Sequence, residues 1–225
     1  MGTPGGRVVA VDGPAASGKG TLSKRLASAL NFAYLDTGSL YRATALRLLR
    51  GQGSTALDNV CLQSAAEAAQ AITVEDLADQ NLRSELVGQC ASFVATDANT
   101  RSALLQFQRS FCHSPPQGLC GAVLDGRDIG TVVCPGALVK LFVTADMDTR
   151  VARRYSELRA AGNSTILDRV KQDMEQRDLR DFSRATAPLC AAEDALVIDS
   201  TRLTEDEVYA TAMAHVQNKL PGAFC

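Results

Sequence analysis

The sequence is poor in the residues on which several common kinds of chemistry depend. It has no tryptophan, two histidines that lie far apart, and no C-x-x-C pair among its seven cysteines. Acid-base or metal chemistry centred on histidine is therefore disfavoured, and neither a zinc ribbon nor a dithiol redox motif is indicated. Any catalytic role falls mainly to other side chains.

Net charge and long apolar runs are lacking as well. The chain has 23 basic and 25 acidic residues, so no sequence-wide positive field favours binding to a polynucleotide. No apolar run approaches the roughly 18 residues of a membrane span, and the opening MGTPGG lacks the basic and apolar parts of a signal peptide. We expect a cytoplasmic protein with neither polynucleotide nor membrane as a partner. A monomer is also expected, although no motif bears on the oligomeric state.

Short apolar segments alternate with segments of helical periodicity along the chain. The predicted strands cover residues 8–12, 32–36, 122–125, 138–145 and 195–199. This alternation predicts an α/β fold with a doubly wound parallel sheet of about five strands, whose ligands bind beyond the carboxyl ends of the strands. Residues 51–89 are rich in alanine, leucine and acidic residues and predict a small helical lobe inserted into the core.

A glycine-rich segment between the first strand and the first helix has the spacing of a P-loop. It reads GPAASGKGT and comprises Gly13, Pro14, Ala15, Ala16, Ser17, Gly18, Lys19, Gly20 and Thr21. Backbone amides in such a loop face phosphate oxygens, the following helix offers its positive N-terminus, and the lysine neutralises the β and γ phosphates. A turn that merely joins strand to helix is the alternative, but the flanking elements favour ATP or GTP binding.

Three further motifs place arginines and carboxylates after predicted strands or on a helix. They are LDTGSLYR at residues 35–42, DGRDIGT at residues 125–131 and RDLRDFSRATAPL at residues 177–189. Forked guanidinium groups near strand ends are suited to bind phosphate. A capped helix with an exposed arginine, a structural ion pair and a solvated salt-bridge ladder are the respective alternatives.

These motifs, in this order, resemble those of the bacterial cytidylate kinases, and the G-K-G-T variant of the P-loop is similar to that of nucleoside monophosphate kinases. The resemblance covers nearly the whole chain except about residues 51–89. It implies ATP as the phosphoryl donor, CMP and dCMP as acceptors, and Mg²⁺ carried by ATP, with Thr21 as the one candidate among the protein's residues for contact with the metal.

The resemblance also implies a role for each matched residue. By this resemblance, phosphoryl transfer would involve Lys19, Arg153 and Arg154, and the acceptor phosphate would contact Thr37, Arg42, Arg127 and Arg184. The ribose of the acceptor would contact Arg177 and Asp181. Its base would contact Ser92, Arg101 and Asp128. The implied organisation is a P-loop core of residues 1–41, 113–150 and 169–225, an acceptor-binding lobe of residues 42–112 and a short lid of residues 151–168. The interval from Arg42 to Ser92 is shorter than in many members of the family.

Two other functions remain open at the level of sequence. One is a kinase for another small acceptor, such as UMP, AMP or shikimate. The other is a regulatory P-loop NTPase that has no acceptor. Release of ADP that depends on an added acceptor would separate a kinase from such a switch.

Overall fold

The computed structural model describes residues 7–52, 64–73 and 75–221. Five parallel strands form one sheet in the order β2-β3-β1-β4-β5. In chain order they are β1 (Arg7–Asp12), β2 (Ala33–Asp36), β3 (Gly121–Gly126), β4 (Val139–Thr144) and β5 (Leu196–Asp199). The strand order changes direction around β1 and β3, and ligands of such sheets bind where the order reverses.

Helices connect the strands and cover both faces of the sheet. The α-helices are α1 (Lys19–Leu30), α2 (Thr37–Gln52), α3 (Ala65–Gln70), α4 (Glu85–Val94), α5 (Ala98–His113), α6 (Met147–Ala160), α7 (Leu167–Ser183) and α8 (Glu205–Lys219). Short 3₁₀ turns lie at Glu75–Ala78, Gln80–Arg83 and Pro116–Gly118, and a π-helical turn lies at Ile129–Val133.

Local chemistry accounts for several helix ends. Asp146 accepts a hydrogen bond from the Thr149 amide and so caps α6, and Thr204 forms a reciprocal capping box with Glu207 at the start of α8. Gly162 follows α6 with a φ of 79°, a conformation that glycine adopts without steric cost. Each of these helix ends is therefore set by a residue type that favours it locally.

The core is divided between the two faces of the sheet because successive residues of a strand point to opposite sides. Val9 and Val11 pack with α1 and α8, whereas Val8 and Ala10 pack with residues of α2, α5 and the π-helical turn. Both faces of the central strand are thus buried, as expected for a parallel sheet covered by helices.

The α/β fold, its parallel sheet and its five strands are confirmed, and each strand boundary agrees with the sequence to within a residue. Of residues 51–89, the described part forms helices and 3₁₀ turns, while residues 53–63 and 74 lie outside the described part. The boundaries of the lobe and the lid stay predictions. In the described part of the chain, no helix has both the length and the apolar character that crossing a membrane requires.

Candidate active site

A cleft of about 410 Å³ opens beyond the carboxyl ends of the central strands. The P-loop after β1, the start of α2 after β2, the loop after β3 and one side of α7 form its walls. Helices α4 and α5 close the remaining side. Of the site residues named from the sequence, all line this cleft except Gly13, Pro14 and Arg153.

The P-loop has the backbone that its glycines allow. Gly13 has a φ of 148°, and a Cβ atom there would lie 2.0 Å from the Val143 carbonyl oxygen, so a side chain cannot be accommodated. Gly18 has a φ of 88° and precedes the first residue of α1. The N-terminus of α1 therefore faces the cleft, where its partial positive charge favours an anion.

Lys19 lies at the floor of the cleft, at the first position of α1. Its Nζ donates a hydrogen bond to the Pro14 carbonyl oxygen at 3.1 Å and lies 3.9 Å from Asp125 Oδ1. Burial, reinforced by the nearby Arg127 cation, lowers the pKa of Lys19 to about 8, while Asp125 opposes the shift. A phosphate group arriving beside this ammonium would favour its charged form.

The residues predicted for the acceptor phosphate lie around the carboxyl end of β3. The Thr37 hydroxyl is buried and donates to the Asp125 carbonyl oxygen at 2.8 Å. Arg42 lies 3.4 Å from the Asp36 carboxylate, and Arg127 donates to Asp181 at 2.9 Å. The guanidinium groups of these arginines are thus held by carboxylates at the edge of the cleft, with donors left for a ligand.

Arg184 extends this cluster from just beyond the end of α7. It is the C-cap residue of that helix and has extended backbone angles, so it does not continue the helical face of Arg177 and Asp181. Its guanidinium is buried, and its Nη2 lies 3.7 Å from Asp128 Oδ1 without a hydrogen-bond partner among the described residues. Burial lowers the pKa of Arg184, and the Arg101 cation adds to this effect.

The two residues predicted for the ribose lie one helical turn apart on α7. Burial lowers the pKa of Arg177 to about 9, reinforced by the Arg127 cation, and its Nε has no hydrogen-bond partner in the described part of the chain. Asp181 is buried as well, but Arg127, Arg177 and Arg184 together hold its pKa below the usual value despite burial. This side of α7 therefore presents both a donor and an ionised acceptor.

The residues predicted to contact the base all line the cleft. Arg101 of α5 and Asp128 form a buried ion pair through Nη2 and Oδ2. The Arg101 guanidinium also lies over the Tyr41 ring, 5.6 Å from its centre. Ser92 Oγ is buried and has no hydrogen-bond partner among the described residues. One acceptor and two donors thus line the same cleft.

The three arginines near the start of α6 have different surroundings. Arg154 lines the cleft, whereas Arg153 donates to the Ser200 hydroxyl at 2.9 Å and its carbonyl oxygen at 2.7 Å. Arg153 thereby borders a second cavity of about 610 Å³ on the other side of the P-loop. Arg150 is buried and donates to the Ala15 carbonyl oxygen at 3.3 Å.

Some residues of this region were not identified from the sequence. Ser200 follows β5, and its hydroxyl donates to the Ser17 carbonyl oxygen of the P-loop at 2.9 Å. Asp12, the last residue of β1, accepts two backbone hydrogen bonds from the π-helical turn. A polar residue at or just after the carboxyl end of a predicted strand was the available signal for both, because such positions border the ligand site.

Comparison with known proteins identifies the family. The family model for cytidylate kinase matches residues 9–218. The chain belongs to the cytidylate kinase family. Cytidylate kinases of Rhodospirillum rubrum and Paramagnetospirillum magneticum are 48% and 49% identical to it, and each match covers 94% of this chain and 98% of the relative. The cytidylate kinase of Rhodopseudomonas palustris is 50% identical over 87% of this chain and 89% of its own length.

A solved structure resembles the cytidylate kinase fold seen here. It is that of an uncharacterized protein from Eubacterium ventriosum, with a TM-score of 0.51 and 13% identity, over 95% of this chain and 99% of the other. At this level of identity the likeness concerns the fold alone.

Proposed function

We propose that this protein transfers the γ-phosphoryl group of ATP to CMP, giving ADP and CDP. The observation that carries the proposal is that a single cleft contains the P-loop lysine and an array of arginines and carboxylates suited to a nucleoside monophosphate. Membership of the cytidylate kinase family supports the same reaction. A regulatory NTPase that has no acceptor would not need the part of the cleft lined by these arginines and carboxylates.

The reaction needs no general base. A phosphate monoester with a second pKa of about 6 is largely a dianion at neutral pH, so its oxygen can attack the γ phosphorus directly. Catalysis then consists of positioning and charge neutralisation. In this arrangement Lys19 contacts the donor phosphates, and Arg42, Arg127 and Arg184 hold the acceptor phosphate. Arg154 lies where it can approach the transferred group.

Mg²⁺ fits this cleft as part of the ATP complex. Thr21 is exposed and lines both cavities beside the P-loop, so the residue lies at the boundary between them. Hard oxygen ligands of this kind suit Mg²⁺, which keeps several waters and binds mainly through substrate phosphates. When bound with ATP, the ion would supply positive charge that offsets the negative charge of the phosphates during transfer. Thr21 is the residue that would hold it.

The second cavity is suited to the base of ATP. It begins at Ser17 and Gly18 of the P-loop and is bordered by Arg153, Ser200 and Leu203. The Arg153 guanidinium supplies a flat cationic surface, and Leu203 an apolar one, as expected for contact with an aromatic ring. We therefore assign Arg153 to the donor side, near the base, while Arg154 stays near the transferred phosphate.

The base site complements cytosine. That base presents an amino donor at position 4 and acceptors at N3 and O2. The Asp128 carboxylate can accept from the amino group, while Arg101 and Ser92 can donate to the ring acceptors. Uracil would place a carbonyl against the Asp128 carboxylate, and a buried unpaired acceptor costs about 1 to 3 kcal/mol. CMP is therefore the preferred pyrimidine.

Arg177 and Asp181 complete the acceptor site by contact with the sugar. The unpartnered Nε of Arg177 and the ionised Asp181 carboxylate match the acceptor and donor character of a ribose hydroxyl. We propose dCMP as a second acceptor, a monomeric state and a cytoplasmic location as well.

A coupled assay of ADP release across CMP, dCMP, UMP, AMP, shikimate and no acceptor tests the proposal. Fast release is expected with CMP, and slow release without an acceptor. Asp128→Asn should lose CMP activity and narrow the ratio of kcat/KM for CMP over UMP by roughly 5- to 150-fold, because the amide can donate to the uracil carbonyl. Glu193→Gln, at an exposed carboxylate before β5, is the matched control. Equal release with every acceptor would refute the proposal, and an unchanged ratio in Asp128→Asn would remove that residue from base recognition.

A further inference from the structure

Asp12 is a buried carboxylate at the point where the donor and acceptor halves of the cleft meet. It ends β1, and the next residue, Gly13, begins the P-loop. Across the sheet it pairs with Gly126, the last residue of β3, which leads into Arg127 and Asp128. Asp12 is 5% exposed and does not line the cleft, so it is not placed to contact a substrate.

The Asp12 carboxylate uses both oxygens to bind the segment after β3, residues 127–130, which we call the acceptor loop. Oδ1 accepts from the Ile129 amide and Oδ2 from the Gly130 amide, each at 2.8 Å. These are the first two residues of the π-helical turn, whose amides have no partner within that turn. The turn follows Asp128 directly, so the direction of the Asp128 side chain depends on where the turn begins.

Arg127 and Asp128 lie in the short segment between two fixed points. At one end, β3 is hydrogen-bonded to β1, and at the other, Asp12 holds the turn. The bond between Asp12 and Ile129 joins residues 117 positions apart in the chain. A carboxylate that accepts two aligned amide hydrogen bonds is a rigid connection, since charge-assisted bonds are about twice as strong as neutral ones.

We propose that Asp12 is a positioning residue for the acceptor: its carboxylate fastens the loop that carries Arg127 and Asp128 to the strand leading into the P-loop. The proposal rests on the proposed roles of Arg127 and Asp128 in binding CMP. Loss of either hydrogen bond loosens the acceptor loop and leaves the P-loop, which follows Asp12 on the other side, largely in place.

The electrostatic surroundings make this connection sensitive to pH. Burial raises the pKa of Asp12 to about 7; the amides of Gly130 and Ile129 oppose the shift, and the charges of Asp128 and Asp125 add to it. The Cys134 thiol after the turn also faces this carboxylate. Lys140 of β4 approaches the same glycine, Gly130, and is itself paired with Asp194 at 2.8 Å.

Protonation changes what the carboxyl group can accept. A protonated carboxyl keeps one good acceptor oxygen and turns the other into a hydroxyl, so one of the two amides loses its partner. The substitution Asp12→Asn introduces the same defect at every pH, because the side-chain amide nitrogen is a donor facing a backbone donor. Lowering the pH through about 7 and making this substitution should therefore have the same consequence.

The test compares KM for CMP and for ATP in the wild type, in Asp12→Asn and in the control Glu193→Gln at an exposed carboxylate before β5, between about pH 6 and pH 8.5. At the upper end, Asp12→Asn should raise KM for CMP by roughly tenfold or more and leave KM for ATP little changed. The ratio of the mutant and wild-type values of KM for CMP should approach one as the pH falls below 7. Titration of CMP and of Lys19 occurs in both proteins and cancels in that ratio.

Equal increases in both KM values, or a ratio that does not vary with pH, would refute the proposal and leave Asp12 a purely structural cap. If Asp12→Asn does not fold, the wild type alone gives the answer. Its ratio of KM for UMP over CMP should fall as the pH drops through about 7, and a constant ratio would overturn the proposal.

Failure of the proposed function gives a different result. A wild type that phosphorylates no monophosphate would contradict the assignment of the acceptor. Hydrogen exchange at the Ile129 and Gly130 amides would still report on the connection, since it should speed up in Asp12→Asn and, relative to the intrinsic rate, at low pH. Unchanged protection of both amides in Asp12→Asn would refute the connection itself.

Discussion

Arg184 lies just beyond the end of α7, and this position directs its guanidinium group into the cleft. Its backbone leaves helical geometry, and its Nε donates to the Ala187 carbonyl oxygen at 2.6 Å. This turns the guanidinium away from solvent and toward Asp128 and Asp181. A buried cation with an unsatisfied nitrogen is costly by itself, so the site is better suited to an anionic ligand than to being empty.

Removing that cation should affect the acceptor selectively. Arg184→Ala should weaken use of CMP by about 2 to 5 kcal/mol, the usual range for a lost buried charge contact, while KM for ATP stays near the wild-type value. Lys19→Ala is the matched comparison, and it should abolish transfer because the donor phosphates lose their cation. Steady-state kinetics with each substrate varied in turn measures both effects. An equal loss of affinity for ATP in Arg184→Ala would reassign this arginine to the donor side.

At the scale of elements, α6 and α7 are fastened to the P-loop by one buried side chain. Arg150 donates to the Ala145 carbonyl oxygen at 3.0 Å and to that of Ala15 in the P-loop at 3.3 Å. Its Nη2 also lies 2.7 Å from the Asp178 carboxylate of α7. Around this pair, Ala16 packs against an apolar cluster of Val151, Leu158, Val170 and Met174.

Removing one member of the Arg150–Asp178 ion pair should destabilise the protein far more than replacing both members with apolar residues. Arg150→Met leaves the Asp178 carboxylate buried without its partner and should lower the free energy of unfolding by about 3 to 5 kcal/mol. The double variant Arg150→Met, Asp178→Leu removes both charges and should recover most of that loss. Urea unfolding of the wild type, both single variants and the double variant measures the coupling. Additive losses in the double variant would show that the two side chains do not stabilise each other.

The elements themselves were predictable because their signals are local. Val8–Asp12 is apolar and β-branched, Thr204 and Glu207 form a capping box within three residues, and Gly162 ends a helix. The cleft was predictable from motifs that follow strand ends. What sequence could not supply are contacts between distant segments, such as those that bring Arg153 to Ser200 and Arg150 to Asp178. The π-helical turn at Ile129–Val133 also escaped prediction, since it depends on Asp12 from another strand.

At the scale of the whole molecule, the cleft concentrates cationic side chains that its carboxylates neutralise only in part. Lys19, Arg177 and Arg184 each have a pKa lowered by burial and by a neighbouring cation. Because the folded state holds Lys19 with a pKa of about 8, below its ordinary value, its ionisation opposes folding at neutral pH. The protein is free of this penalty above about pH 10, where Lys19 is neutral in both states, and the stability so gained is lost as the pH falls through about 8. An anionic ligand that supplies the missing countercharge should reverse the effect.

Ligands should therefore stabilise the protein in proportion to how well they fit each half of the cleft. CMP at about 100 times its dissociation constant should add about 2.7 kcal/mol, which corresponds to a rise in Tm of roughly 5 to 10 °C for a chain of this size. UMP at the same concentration should give a smaller rise, because position 4 of uracil presents a carbonyl oxygen to Asp128 instead of an amino proton. In Arg184→Ala the rise with CMP should collapse while that with ADP persists, since Lys19 and the P-loop are intact. Thermal unfolding with each ligand in turn measures this, and equal shifts for CMP and UMP would show that the cleft responds to phosphate alone.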